Sequence, residues 1–380
     1  MQIGVFCVLT FSYWEHKTWF SGVDFTIVGS GLVGLSCALR LRERYPKSKI
    51  LILERGVLPN GASTKNAGFA CFGSVSEVLS DLQTHSEEEV IELVKQRYDG
   101  IQKLRKLLGD DALGYEQHMG HEVFLEKDEA LREKCLQQVS YLNQLLEVVF
   151  QKPPFEITPN RFGFKGVYSK YISHTLEGQI DTGGMMDALI QKCFRANIRI
   201  LNGIEVKACE DHGQSATVAC EGFTFETKKV CIANNGFASS LLPEIKVQPA
   251  RAQVLVTEPI PNLPIQGTFH LDEGYYYFRN IDNRILLGGG RNLDFKAEET
   301  TKMDTTPIIQ EALDQLLRDV ILPKQPVNVA QRWSGIMGVG TQKKPIVKTL
   351  SQNVSCGVRL GGMGVALGSL VGNKLGELPE

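Results

Sequence analysis

The sequence predicts an α/β chain: a Rossmann-type nucleotide-binding domain assembled from both ends, with a mainly antiparallel β (α+β) domain inserted between them. Three observations carry that expectation. Residues 24–28 are β-rich and run straight into Gly29-Ser30-Gly31-Leu32-Val33-Gly34, which opens a helix-compatible stretch. The second half carries short β-rich runs bounded by Pro, Gly and Asp-Asn, as antiparallel strands do. Glycine accounts for 37 of 380 residues, roughly one in ten against a usual ~7%, and much of the excess falls at residues 29–34, 61–68 and 335–372.

Each element follows from its residues. Residues 1–22 form an N-terminal extension. Residues 3–10 are apolar but lack a basic flank, and Tyr13-Trp14-Glu15-His16-Lys17 stands where a cleavage site would be expected. No apolar run approaches the ~18 residues of a membrane helix, so neither a signal peptide nor a membrane span is expected. A short surface anchor made by Trp14, Trp19 and Phe20 is the lesser alternative. The strand at 24–28, the helix at 35–44 and a second apolar strand at 49–54 make one βαβ unit. Two long charged helices are expected at Glu87–Leu108 and 128–149. Strands are expected at 253–257, 275–278 and 284–287, and one more helix at 307–320. The nucleotide domain then comprises residues 23–75, about 160–240 and 331–380. The inserted domain comprises about 76–159 and 241–330.

Composition excludes several classes. The formal charge is -2, from 41 basic and 43 acidic side chains, so no net field gathers nucleic acid or an anionic membrane. The nine cysteines form an odd set without a CxxC pair, most of them among apolar neighbours. They read as reduced core residues of a cytoplasmic protein. No metal site is expected.

The glycine turn has a strand before it, a helix after it and an acid, Glu54, at the end of the next strand. That context marks a dinucleotide site. Gly29 permits the tight turn, Gly31 lets the backbone approach a pyrophosphate, and Gly34 lets helix and strand pack closely. The helix N-terminus offers N–H groups and partial positive charge to the phosphates. Glu54 suits the ribose hydroxyls and disfavours a 2′-phosphate, so NADP is not expected. NAD and FAD remain open on this motif alone. The small, hydroxyl-rich residues 61–70 can line a long cofactor. Gly361-Gly362-Met363-Gly364-Val365 opens a second helix, whose N-terminus would suit a reduced flavin. The same glycines would also suit a helix packed closely on a neighbour.

With these segments in order, the chain resembles the FAD-dependent amine and amino-acid oxidoreductases, the D-amino-acid oxidase, glycine oxidase and sarcosine oxidase superfamily. Gly178-Gln179-Ile180-Asp181 is similar to the family's "G-x-[IV]-D" segment before a helix. Ala233-Asn234-Asn235-Gly236 is similar to its "ANG" strand end, and Arg251-Ala252-Gln253 to its "RGQ" strand. Gly288-Gly289-Gly290, Trp333-Ser334-Gly335 and the Gly361 turn complete the series. The resemblance implies an FAD-binding domain and a substrate domain whose antiparallel sheet roofs the flavin. It implies hydride transfer from a carbon bearing a neutral amine to flavin N5, imine hydrolysis, and reoxidation by oxygen or another acceptor. The substrate would be a small amine or amino-acid-like metabolite.

The cofactor residues implied are Gly29, Ser30, Gly31, Leu32, Val33, Gly34, Glu54 and Arg55 around the first turn, then Ser63, Thr64, Asn66, Ala67 and Gly68 in the following loop. Val206, Gly236, Gly335, Gly361, Gly362, Met363, Gly364 and Val365 complete that set. Tyr276, Lys65 and Arg279 are the catalytic candidates. Tyr276 comes from a strand on which the family places a substrate-contacting tyrosine, with an aromatic core strand as the rival reading. Lys65 could stabilise reduced flavin or superoxide, with an exposed loop lysine as the rival.

Two departures from the family pattern bear on the chemistry. Met337 stands where relatives carry the arginine that grips a substrate carboxylate, and Gly364 where some carry a second. An apolar thioether does not replace a charged fork. Arg279, Arg291, Arg332 and Arg359 are the substitutes to consider. No cysteine occurs in residues 333–341 and no histidine in 61–73, Cys71 reading as core, so FAD is expected to be bound non-covalently. His118 and His121 read as exposed loop residues. The alternatives are a tRNA wobble-uridine demodifying flavoenzyme, a non-catalytic flavin-binding protein and, least favoured, an NAD dehydrogenase.

Overall fold

The structure, a computed structural model, describes residues 10–380; the apolar opening up to residue 9, with Cys7, lies outside the described residues. The chain divides into two compact units. The first comprises residues 1–64, 186–249 and 337–380, and the second 65–185 and 250–336.

The first unit is built on an eight-stranded sheet. Its order is Ile346–Thr349, Val354–Val358, Phe223–Ile232, Val23–Val28, Ile50–Glu54 and Arg199–Asn202, with Ala216–Cys220 and Val206–Asp211 as a side ladder. Val23–Val28 pairs in parallel with both neighbours, Ile27 lying opposite Ile52 and Cys231. Every residue of Ile50–Glu54 is buried, as expected for a strand covered on both faces. The helix of the glycine turn begins at Leu32, three residues earlier than its apolar spacing suggests, and runs to Arg44.

Against it packs the C-terminal helix Gly364–Glu377. A Cβ on Gly368 would lie 2.7 Å from the Leu32 side chain, one on Gly372 2.5 Å from the Val33 carbonyl, and one on Gly376 2.9 Å from Cys37 O. The late glycines of that segment therefore serve close helix packing, which was the plainer of the two readings. The N-terminal extension is folded in as well. Ser12 caps a short helical turn, and Phe11 and Phe20 join Phe223 and Phe225 in an aromatic cluster under the sheet. Phe20 is core and Trp19 packs against it, which removes both from the suggested surface anchor; Trp14 remains 69% exposed.

The second unit carries the other eight-stranded sheet, in the order Val329–Val339, Gln248–Thr257, Arg284–Gly289, Tyr276–Ile281, Thr268–Leu271, Gly120–Glu122, Lys170–His174 and Phe155–Pro159. From Gln248–Thr257 to Phe155–Pro159 its neighbours are antiparallel apart from Thr268–Leu271 beside Gly120–Glu122. One face buries Leu255, Phe269, Phe278, Ile285 and Leu287 together with Ile309 and Leu313 of helix Pro307–Leu316. The opposite face carries Val254, Leu286 and Tyr277, with Ala67, Phe69 and Trp333 packed there. The long helices fall at Glu87–Leu108 and Glu129–Phe150, each close to its sequence position.

No disulfide joins any two of the eight described cysteines, and seven of them are buried. No helix among the described residues is long and apolar enough to cross a membrane, and no group of three His, Cys, Asp or Glu among them could hold a metal ion.

Candidate functional site

In the first unit the glycine turn is shaped by backbone crowding. Gly29 has φ +105°, a conformation that L side chains rarely adopt, and an added Cβ would lie 2.9 Å from Ala233 O. A Cβ on Gly34 would overlap Gly29 O at 1.9 Å. Gly31 is different. It is extended (φ -74°), and the group in front of it is the Ser63 hydroxyl, 2.8 Å from where a Cβ would stand. That hydroxyl accepts the Leu32 N–H at 2.9 Å.

The helix cap Gly31 supplies no side-chain acceptor of its own, so an oxygen from outside the helix meets its first turn. This is the position and chemistry a phosphate oxygen needs. Glu54 is buried at the next strand end. One of its oxygens accepts the Ser30 hydroxyl at 2.8 Å and the Ser30 N–H at 3.2 Å, and the other accepts the Gly56 N–H at 2.9 Å. The carboxylate is thereby oriented and keeps lone pairs for further donors. Arg55 Cζ lies 3.7 Å from the centroid of the Phe237 ring, a cation–aromatic contact next to Glu54 in sequence. Val206 is a core residue and Gly236 is buried in the turn Asn235–Ser240. Thr64 spends its hydroxyl on Pro59 O and Gly61 O, holding its own loop.

The Gly361 turn is tied into this unit by Asn235, of the Ala233-Asn234-Asn235-Gly236 strand end. Its Oδ1 accepts the N–H groups of Arg359 (3.0 Å) and Leu360 (3.2 Å), and a Cβ on Gly338 would come within 2.7 Å of the same oxygen. Gly361 donates its N–H to Gly338 O at 2.9 Å. The only local signal is the doubled Asn234-Asn235 before Gly236. Gly361, Gly362 and Gly364 have open space where a Cβ would stand, and Met363 caps the helix without a side-chain bond. The same segment thus has two uses: its first glycines keep a helix N-terminus clear, and its last ones pack against the first helix. Val365, at its start, is buried.

In the second unit the loop after Lys65 is locked in place. Arg279 is buried, and it donates from Nε to Ala67 O at 2.6 Å and from Nη2 to Ile180 O at 2.9 Å. Burial draws its pKa down to about 10, so it stays charged near neutrality. Asn66 Oδ1 accepts the Gly68 N–H and the Thr182 hydroxyl. Gly68 has φ +71° and has Ile180 O within 2.4 Å of its missing Cβ. Trp333 donates its indole N–H to Lys65 O at 3.0 Å, and Gly335 lies against the Lys65 stem.

Strand alternation separates two of the catalytic candidates. Tyr276 packs with Phe278 on the core face and its ring adjoins Gly290 and Ile309, whereas Tyr277 and Arg279 share the opposite face. Tyr276 therefore does not join Lys65 and Arg279. Tyr277 does share the face, its ring lying over Gly288 and edge-on to Phe69, with burial pushing its hydroxyl up to about 12. Counting by two from Arg279 would have found it.

Three of the four substitute arginines are engaged elsewhere: Arg279 as above, Arg332 with Asp314 at 2.7 Å and Gln310, and Arg359 with Lys344 O. Arg291 stacks on Phe295 at 4.8 Å. Met337 is half-buried on Val329–Val339. Cys71 is core. His121, expected on an exposed loop, is 2% exposed on Gly120–Glu122, bonded to Ser173 and drawn down to about 4 by burial.

Residues 24–378 match the family model described as FAD dependent oxidoreductase (DAO). The chain is 22% identical over 296 residues to the bifunctional protein ThiO/ThiG of Synechocystis sp., an alignment covering 73% of this chain and 40% of that one. Among solved structures it is similar to glycine oxidase from Geobacillus kaustophilus (TM-score 0.75, 18% identity, 94% and 95% of the two chains). It is also similar to L-proline dehydrogenase from P. horikoshii (TM-score 0.73, 15% identity, 94% and 92%).

Proposed function

Because the chain belongs to the FAD-dependent oxidoreductase (DAO) family, we propose that it oxidises a C–N bond of a small amine or amino-acid-like metabolite, with FAD bound non-covalently. The observation that carries the cofactor placement is the pair of helix N-termini in one unit, one at Leu32, where an oxygen from outside the helix already meets the first N–H, and one at Gly364, which faces open space, with the Glu54 carboxylate oriented beside the first. When bound, the flavin supplies the hydride acceptor for the carbon that carries the amine.

The chain's own residues do the rest. Leu32, Val33 and Gly34 N–H groups would hold the phosphates, with Ser63 beside them, and Glu54 the ribose. Asn66, Ala67 and Gly68 would line the cofactor in a conformation fixed by Arg279, which is a positioning residue on this reading. Gly335 and the open turn at Gly361 and Gly362 would let backbone approach the ring system. Lys65 is the positive charge proposed to balance the electron pair delivered to the flavin, and Tyr277 takes the substrate-contacting role first considered for Tyr276. Met337 in place of a carboxylate-gripping arginine favours substrates recognised through an amine and an apolar body over simple α-amino acids. Oxygen or another electron acceptor would close the cycle.

The test is anaerobic mixing of the yellow holoprotein with a panel of amines, amino acids and hydroxy acids, following the flavin band near ~450 nm. Bleaching by an amine supports the proposal, and bleaching by hydroxy acids alone overturns it. A flavin that no amine reduces transfers the protein to the binding class. Hydrogen peroxide formation in air then distinguishes an oxidase from a dehydrogenase, and release of the flavin by acid precipitation checks that it is not covalently attached.

A further inference from the structure

We propose that Trp333 and Gly335 are positioning residues that fix the Lys65 ammonium as a standing positive charge for the bound flavin, an inference that rests on the reading of Lys65 given above. Lys65 ends the helical turn Ala62–Lys65, two residues beyond Ser63. Its carbonyl is held by the Trp333 indole N–H at 3.0 Å. Gly335, two residues further along the same strand, faces the same way, and a Cβ there would lie 2.7 Å from Lys65 Cβ. That distance is below any ordinary contact. The obstructed atom is the root of the lysine stem, so a side chain at 335 displaces the stem and not merely its flexible end.

On the other side of Lys65 the chain is held just as firmly. Ala67 O accepts from Arg279, and Asn66 bridges Gly68 and Thr182. The stem thus springs from a backbone fixed before and after it. Its end is left without a partner: Lys65 is half-buried, yet its ammonium makes no hydrogen bond or ion pair among the described residues. An ammonium that no protein acceptor engages stays available for negative charge when it arrives, as it does on a flavin that has gained an electron pair, and a preorganised charge needs no reorganisation at that moment.

The experiment is the two-electron midpoint potential of the anaerobic holoproteins, by equilibration with a reference dye, alongside flavin content per chain. Lys65→Met is expected to lower the equilibrium constant for flavin reduction about tenfold, which for a two-electron couple is about 30 mV. Lys65→Arg is expected to hold it near wild type. Gly335→Ala and Trp333→Phe are each expected to move the potential in the same direction with flavin content retained, and Lys65→Met/Gly335→Ala to go no lower than Lys65→Met. Should Gly335→Ala lose its flavin, Trp333→Phe carries the test. A wild-type potential in both positioning variants beside a shifted Lys65→Met overturns the proposal and leaves the role of Lys65 standing. An unshifted Lys65→Met overturns both, and additive shifts in the double variant would mean that Gly335 acts through something other than Lys65.

Discussion

Replacing Gly31 by Ala separates what the first glycine turn does for packing from what it does for the cofactor. The residue has ordinary extended torsions, so alanine suits the backbone. A Cβ there would stand 2.8 Å from Ser63 Oγ but 3.6 Å from Ser63 Cβ, an ordinary contact. The obstacle is the hydroxyl alone. In Gly31→Ala it must rotate away, and the Leu32 N–H loses its 2.9 Å acceptor, at a cost of about 1 kcal/mol, or up to about 2 with the crowding. Ser63→Ala loses the same bond, about 1 kcal/mol.

The double variant has no hydroxyl to displace. It should be about as stable as Ser63→Ala, giving a coupling near ~1 kcal/mol in a double-mutant cycle of urea unfolding on the apoprotein. Cofactor affinity should not recover in parallel. If phosphate approaches the backbone at Gly31, the methyl group obstructs it whether or not Ser63 carries a hydroxyl. Gly31→Ala and the double variant should then both bind FAD at least ~tenfold more weakly than Ser63→Ala, about 1.4 kcal/mol, in a fluorescence titration. A double variant that binds FAD as tightly as Ser63→Ala refutes the placement of the phosphates.

Other consequences are open to direct measurement. Tyr277→Phe should slow anaerobic flavin reduction by substrate about tenfold, the worth of one directed hydroxyl, while Tyr276→Phe changes it less than about twofold; the reverse ranking would return the role to Tyr276. Glu122 is held up to about 7, chiefly by burial and against the opposing pull of its Ser76 bonds. The folded state therefore keeps a proton that the unfolded chain releases above pH ~4.5, and stability falls as pH rises from there to ~7. Glu122→Gln should remove that loss, gaining roughly 3 kcal/mol at pH 8 and nothing at pH 4; a gain independent of pH would exclude the buried carboxyl as its source.

Gly372→Ala places a Cβ 2.5 Å from Val33 O and should cost more than about 2 kcal/mol, whereas Gly362→Ala meets open space and should cost under about 0.5 kcal/mol in the same unfolding assay. In the hairpin between Thr268–Leu271 and Tyr276–Ile281, Asp272 and Glu273 both have positive φ (51° and 53°), so Glu273→Gly should stabilise by about 0.5–1 kcal/mol.

How far the sequence could be read varied with the range of the interaction. The first βαβ unit was legible because its signals are local: a buried strand, a crowded turn, a helix and an acid, all within about thirty residues. The bounds of Glu87–Leu108 were legible too, since Ser86 with Glu89 caps one end and Gly109 stops the other. Pairings between distant segments were not. Nothing near Asn235 in sequence reports that its side chain carries the Gly361 turn, and nothing near Lys65 reports the indole of Trp333. His121 looked like a loop residue because its strand has three residues, too few to show alternation.

The sequence by itself determined the α/β class, the glycine turn, its acid and the order of segments along the chain, since each depends on backbone preferences expressed within a few residues. The tertiary structure decided which face of a strand a tyrosine occupies, which arginines are already spent on carbonyls and carboxylates, and which glycines clear space and which pack helices. Those outcomes turn on contacts between separate elements, from 15 positions apart for Arg359 and Lys344 to 212 for Arg279 and Ala67, and a one-residue change of register exchanges the two faces of a strand.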